Sequence, residues 1–190
     1  MTSFYDENEL KSLGLKSVGD NALISRNCSI YSPENICIGN NVRIDDFCIL
    51  SGTITIGDYV HISAYSALYG SKGIVLEGYC GISMRCTLLS ATDDFSGDFL
   101  VGAQFPDEFR NVLGGTIILK KYTQLGAGSV VFPNIVIDEG AVTGAMTLVN
   151  KNLFSWTINT GIPVNKMRPR KKGLLKICKA TFTGIWNKNS

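Results

Sequence analysis

A single histidine, His61, occurs in the 190 residues. A neutral imidazole, with an unperturbed pKa of about 6.5, is well suited to take a proton from an attacking amine or hydroxyl near neutral pH. Two adjacent carboxylates, Asp93 and Asp94, are its rivals, because like charges side by side raise one another's pKa. Gly126-Ala127 and Gly144-Ala145 recur eighteen positions apart. At such small residues the backbone can approach a ligand, and its amides can face a developing oxyanion. From Lys166 onward there are eight basic residues and no acidic one, against ten basic and 16 acidic in residues 1–165. Lys166, Arg168 and Arg170, just past Pro163, suit phosphate oxygens. The plainer alternatives are an outward-facing histidine, solvated loop aspartates, tight glycine bends and a solvated basic tail.

Other chemistries find little support. The six cysteines form no CxxC pair and have no histidine cluster beside them, so zinc-site spacing is missing and no metal is expected. They read as small core residues rather than a disulfide framework. The start, MTSFYDENELKS, lacks the basic flank and apolar run of a secretory signal, and no stretch is long and apolar enough to span a membrane. These features lead us to expect a cytoplasmic protein with no nucleic-acid partner.

The elements that must hold these residues announce themselves by period. Stepping by six from Ile38 gives Ile44, Leu50, Ile56, Ile62 and Leu68. After a slip at Ser71 to Gly73 come Leu76, Ile82 and Leu88, and after a longer break Leu119, Leu125, Val131, Ile137, Thr143 and Val149. Fourteen of these fifteen anchors are Ile, Leu or Val, far beyond chance. Four residues after most anchors the side chain is small or β-branched, as at Val42, Cys48, Val60, Cys80 and Ser129, with Lys72, at the slip, an exception. Turn chemistry falls between, with Gly39-Asn40, Asp45-Asp46, Gly57-Asp58, Gly126-Ala127 and Asp138-Glu139 one and two residues past the anchor. A six-residue period fits neither a flat strand nor an amphipathic helix. It fits a parallel β-helix over residues 24–153, with a second slip at Pro33 to Ile36.

IGNNVRIDDFCI, TIGDYVHISAYSALYG, LGAGSVVFPNIVIDEGAVTGAMTLV and the closing TGIPVNKM resemble the hexapeptide-repeat acyltransferases. The resemblance implies an all-β, left-handed parallel β-helix with three faces per coil, assembled as a homotrimer with active sites between subunits. It also implies acetyl-CoA as co-substrate, lying along Gly126, Ala127, Gly144 and Ala145, with its phosphates near Pro163, Lys166, Arg168 and Arg170. One layout covers the chain: a cap in residues 1–23, the β-helix over 24–153 with an inserted loop over 93–118, and a basic, helical segment over 154–190. Asp6 is positioned to cap a short helix, ENELKSL, closed by Gly14. A second helix over 173–186 either covers the open last coil or offers a membrane-surface or partner contact.

The inserted loop interrupts the pattern for more than 20 residues, and loops of that length in compact domains tend to be functional. In the galactoside and maltose acetyltransferases the equivalent loop follows an ATH motif whose histidine is the base. Here the same place reads Ala91-Thr92-Asp93. Counting coils puts His61 in one column with Gln124, two coils lower, and away from Asp93. The resemblance is strongest to small enzymes of O-antigen and capsule pathways. The expected reaction is therefore acetyl transfer to the amine of a nucleotide-linked, dTDP-type amino-deoxy sugar. O-acetylation of a sugar hydroxyl and a non-catalytic scaffold stay open. If His61 is the base, His61→Ala or His61→Asn lowers turnover at least about tenfold; an unchanged rate removes it from the mechanism.

Overall fold

Each six-residue repeat becomes a short strand followed by a bend, and the strands stack in three parallel columns. The computed structural model describes residues 3–178. The first face is built from Leu23–Ile24, Arg43–Ile44, His61–Ile62, Gly81–Ile82, Gln124–Leu125, Val142–Thr143 and Thr157–Gly161. The second takes Ser29–Tyr31, the first halves of Ile49–Ile56 and Ala67–Leu76, then Thr87–Leu89, Val130–Val131 and Leu148–Val149. The third takes Ser17–Val18, Ile36–Ile38, the second halves of the same two long strands, Ile117–Leu119 and Val136–Ile137. The result is a left-handed parallel β-solenoid of about seven turns.

Register makes the anchors a continuous core. On the second face Leu50 pairs with Leu68, Leu68 with Leu88, Leu88 with Val131 and Val131 with Val149, and all are fully buried. Each such side chain contributes about 1.5–3 kcal/mol of burial. The small residues four positions on are buried too, among them Val42, Cys48, Val60, Cys86 and Thr147. Burial pushes the Cys28 thiol up to about 12, and those of Cys80 and Cys86 to about 11. These three are core residues without thiolate chemistry near neutral pH.

The coils begin earlier and end later than the hexads reveal. Ser17–Val18 already pairs with Cys37 and Ile38, and Thr157–Gly161 continues the first face. At that last coil the anchor is a buried Asn159, whose amide donates to the Val142 carbonyl and the Thr157 hydroxyl. A polar anchor leaves no hydrophobic signal. The two slips are a 3-10 turn at Pro33–Asn35 and a bulge at Ser71 to Gly73, where Gly52 pairs with Gly70 but Ile54 with Ile74.

Bend chemistry also differs from expectation. The left-handed residue falls three positions past the anchor, at Asn41, Phe47, Tyr59, Tyr65, Tyr79, Arg85, Tyr122 and Met146, all with φ between 55° and 65°. Glycines one position past the anchor serve a different need. A Cβ on Gly57 would lie 2.8 Å from the Gly78 nitrogen, and one on Gly126 would lie 2.5 Å from the Gly144 carbonyl carbon. They allow coil to lie on coil rather than turning the chain. The bulky left-handed residues repay their strain by stacking outside the core. Tyr59, Tyr79 and Tyr122 stack at 5.1 and 5.2 Å, and Trp156 continues the column at 6.3 Å.

At the N-terminus Asp6 caps Glu7–Ser12 with a full capping box. At the other end the chain does not leave the solenoid after Gly161. It turns back as Val164–Pro169, antiparallel to Thr157–Gly161. An antiparallel strand needs only a tight turn, whereas another parallel strand needs a whole coil, and the added strand covers an otherwise open edge. Of the expected helix over 173–186, residues 174–178 are helical and the remainder lies outside the described residues. The described part lies near Tyr79 and Tyr122, whose phenols are raised chiefly by burial, for Tyr79 with the neighbouring tyrosines adding to it. Gly140 (φ +68°) lies between Tyr122 and Trp156 in the aromatic column, and a Cβ there would meet the Trp156 ring at 2.5 Å. Gly140→Ala is expected to lower the melting temperature by about 2–10 °C; an unchanged thermal melt would contradict this packing.

Candidate active site

The outward side chains of the first face form a column in which Arg43, His61, Gly81, Gln124 and Val142 succeed one another. His61 is half exposed, and its Nε2 lies 2.8 Å from Asp45 Oδ2. Arg43 Nε donates to Asp45 Oδ1 at 2.7 Å. Burial pushes the Asp45 carboxyl up, but the bonds from Arg43 and His61 outweigh it and hold it below the ordinary value. In the tautomer that donates from Nε2, the carboxylate orients the ring and Nδ1 keeps its lone pair, the arrangement a general base requires.

One residue past the Ile82 anchor stands Ser83, in the coil directly above His61. Its amide donates to Leu125 at 3.0 Å, and its hydroxyl accepts from Gln124 Nε2 at 3.3 Å. Sequence reasoning missed Ser83, because serine at a solenoid corner carries no signal that separates a reactive hydroxyl from a turn residue.

The inserted segment is a projecting arm. Ala91–Asp93 pairs antiparallel with Val112–Gly114, and a 3-10 turn at Asp107–Phe109 lies between them. The two aspartates have different surroundings. Asp94 accepts from the Ser96 amide and from Asn111 Nδ2, both at 2.8 Å, and these bonds hold its carboxyl below the usual range. The expected mutual raising therefore does not hold for Asp94. Asp93 instead faces the Arg110 guanidinium at 3.4 Å. The arm leaves the edge between the second and third faces, where the Gly115 amide donates to the Ser90 carbonyl. His61 and Ser83 lie across the second face from it, so one chain does not bring them to Asp93.

The residues expected along the co-substrate separate into three groups. Gly126 and Gly144 do stack, one coil apart, but their amides are committed. Gly126 donates to Thr143 Oγ1 at 2.9 Å, and Gly144 donates to the Asn159 carbonyl at 2.8 Å. These amides are therefore not free for an oxyanion. What the column offers, with Ala127 and Ala145, is a strip of surface without large side chains. Pro163, Lys166 and Arg168 are exposed around the terminal hairpin. Lys166 lines a groove of about 440 Å³ with Lys151, Phe154, Asn159 and Met167, whereas Arg168 lies outside that lining. Arg170 is a clamp. Its guanidinium donates to the Tyr122 and Gly140 carbonyls at 2.8 and 2.9 Å and lies over Trp156. Through Nη1 it ties three coils together, so this end of the guanidinium is engaged by the protein itself.

Among the described residues no group of three or more His, Cys, Asp or Glu could hold a metal ion, and no helix is long and apolar enough to cross a membrane.

No protein-family model matches the chain. A dTDP-4-amino-4,6-dideoxy-D-glucose acyltransferase of Escherichia coli is 40% identical over 178 residues, covering 92% of this chain and 93% of its own length. The crystal structure of AntD, an N-acyltransferase from Bacillus cereus, in complex with dTDP and 3-hydroxybutyryl-CoA, superposes with a TM-score of 0.94 at 49% identity, covering 97% of this chain and 99% of that one. AntD is also solved with dTDP-4-amino-4,6-dideoxyglucose and coenzyme A, in variants of a serine, and with dTDP and coenzyme A in variants of an aspartate ten residues further on. A hexapeptide transferase family protein from Anaplasma phagocytophilum shares the fold, with a TM-score of 0.63 at 20% identity over 86% of each chain.

Proposed function

Because the chain belongs to the hexapeptide-repeat, left-handed β-helix acyltransferases, we propose that it transfers an acyl group from coenzyme A to the 4-amine of a dTDP-linked 4-amino-4,6-dideoxy sugar. The amine attacks the thioester carbonyl, a C–N bond forms, and the C–S bond breaks to release coenzyme A. The amine proton passes to Asp93 or to His61, and a hydroxyl such as that of Ser83 is suited to the carbonyl oxygen. Acetyl is the acyl group we propose, and 3-hydroxybutyryl, the group on AntD's co-substrate, is the comparison to run. Surface-polysaccharide synthesis in the cytoplasm is the setting that fits a nucleotide sugar and an acyl-CoA together.

The observation that carries this reading is a spacing. Ser83 and Asp93 are the only serine and aspartate in this chain separated by ten residues in that order, the spacing of the two substituted positions in AntD. They lie across one face of one chain, so they can act together only if a second copy supplies one of them. That requirement supports a homotrimer with sites between subunits. The second face has the surface for it, with Tyr65, Met84 and Met146 exposed along one edge and Tyr31, Tyr69 and Phe132 along the other. In such a site Ser83 and the His61–Asp45 pair come from one copy and Asp93 from its neighbour. The strip at Gly126, Ala127, Gly144 and Ala145 leads towards Lys166 and the terminal groove, a course suited to coenzyme A.

Two measurements test this. With acetyl-CoA or 3-hydroxybutyryl-CoA and a thiol reagent, thiol release is expected with dTDP-4-amino-4,6-dideoxyglucose and not with its 4-hydroxy counterpart. Equal rates would favour O-acylation, and no release with any acceptor would overturn the enzymatic reading. Ser83→Ala and Asp93→Ala, each nearly inactive alone, are expected to recover about one quarter of the wild-type rate after refolding as a mixture, the statistical share of sites with both residues intact. No recovery would place both residues in sites formed within one chain.

A further inference from the structure

Asp93 and Asp94 are neighbours in sequence, yet the arm treats them unequally, and the difference lies in Arg110. The antiparallel ladder sets Asp93 opposite Val112 and returns the chain through Asn111, whose carbonyl accepts the Asp94 amide at 2.8 Å. Both Asp94 oxygens are thereby committed to the arm's own turn, one to the Ser96 amide and one to Asn111. Asp93 keeps a single side-chain partner, with Arg110 Nη2 at 3.4 Å from Oδ1. Among the described residues Oδ2 takes no hydrogen bond.

Arg110 is itself unusual. Its side chain is 15% exposed, and its Nε is buried with no hydrogen-bond partner among the described residues. A guanidinium stays charged at any ordinary pH, and a desolvated cation needs an anion beside it. Two carboxylates are in reach. Asp107 lies at 3.3 Å but is fully exposed, so water screens that pair. Asp93 is 22% exposed and shares the partly desolvated space. A contact of 3.4 Å is longer than the roughly 2.7–2.9 Å of a full charge-assisted bond, so it orients the carboxylate without consuming it.

We propose that Arg110 is a positioning residue for the acyl transfer: it holds Asp93 by Oδ1 and leaves Oδ2 to accept a hydrogen from the acceptor amine, while Asp94 serves only to build the arm. This rests on the reading of Asp93 given under Proposed function. No bond is made or broken at Arg110; its charge and geometry act through Asp93 alone.

The test is a double-mutant cycle read as separate kcat and KM values for the amino sugar and for acyl-CoA. Arg110→Gln is expected to lower kcat about tenfold or more while leaving the KM for acyl-CoA and the melting temperature within about twofold and a few degrees of wild type. Arg110→Lys, which keeps the charge, is expected to recover at least about threefold over Arg110→Gln. In an Asp93→Asn background Arg110→Gln should cost less than about a further twofold, because its partner is already neutral. The same loss in both backgrounds, or Lys and Gln variants equally impaired, overturns the proposal. Should Asp93→Asn be too slow for the cycle, the ranking of Lys and Gln decides alone. Full activity in Asp93→Asn would instead sink the reading of Asp93 itself, and Asp94→Asn is expected to lower the melting temperature more than kcat.

Discussion

The constraint from which the rest follows is the direct stacking of one backbone coil on the next. Parallel strands in adjacent coils lie about 4.8 Å apart, and every outward or inward position inherits the address of the residue below it. Gly126 and Gly57 show how tight that contact is, since an added methyl would reach the next coil's backbone. The core is filled in the same way, by one large anchor and one small residue per face. Even its hydroxyls are satisfied within the stack: Ser66 donates to the Ser83 carbonyl, and Ser129 to the Gly126 carbonyl.

Stacking explains which features the residues announce and which they conceal. Anchors repeat because each must bury the same volume, so a parallel β-helix of six-residue repeats is legible from the anchor series, while three faces per coil is what the family resemblance implies. The left-handed bend residue is not, because its identity is set by a column outside the core. Tyr59, Tyr79 and Tyr122 occupy a conformation that elsewhere favours glycine, and they stack ring on ring. Arg170 differs from its neighbours for a related reason. Three basic residues spaced by two read as one phosphate-binding set, yet the added antiparallel strand leaves Lys166 and Arg168 exposed and carries Arg170 to the carbonyls of two other coils.

The chemistry was legible as residues but not as an arrangement. His61 and Asp93 were both visible, and coil counting separated them correctly. The Asp45 carboxylate behind His61 was hidden, since nothing in Asp45-Asp46 says which of the two faces the column above. Asp46 is held instead by Ser25. The unequal fates of Asp93 and Asp94 depend on contacts formed 17 residues away in sequence, at Arg110 and Asn111, in a segment with no period to read.

A solenoid this tightly filled has no room inside for a substrate, and its faces are too flat to enclose one. A concave site must come from something that stands off the prism, and among the described residues the arm is one such segment, beside the groove at the terminal hairpin. Its Phe95, Phe99, Leu100, Phe109 and Leu113 are exposed in the single chain, an apolar surface of the kind that marks contact with another body. If the covering body is a second copy, the same contact that buries the arm also brings Asp93 towards Ser83 and His61, so assembly and catalysis cannot be separated. On that view the arm interrupts the repeats because a perfect solenoid would be stable but would have no place to bind a sugar.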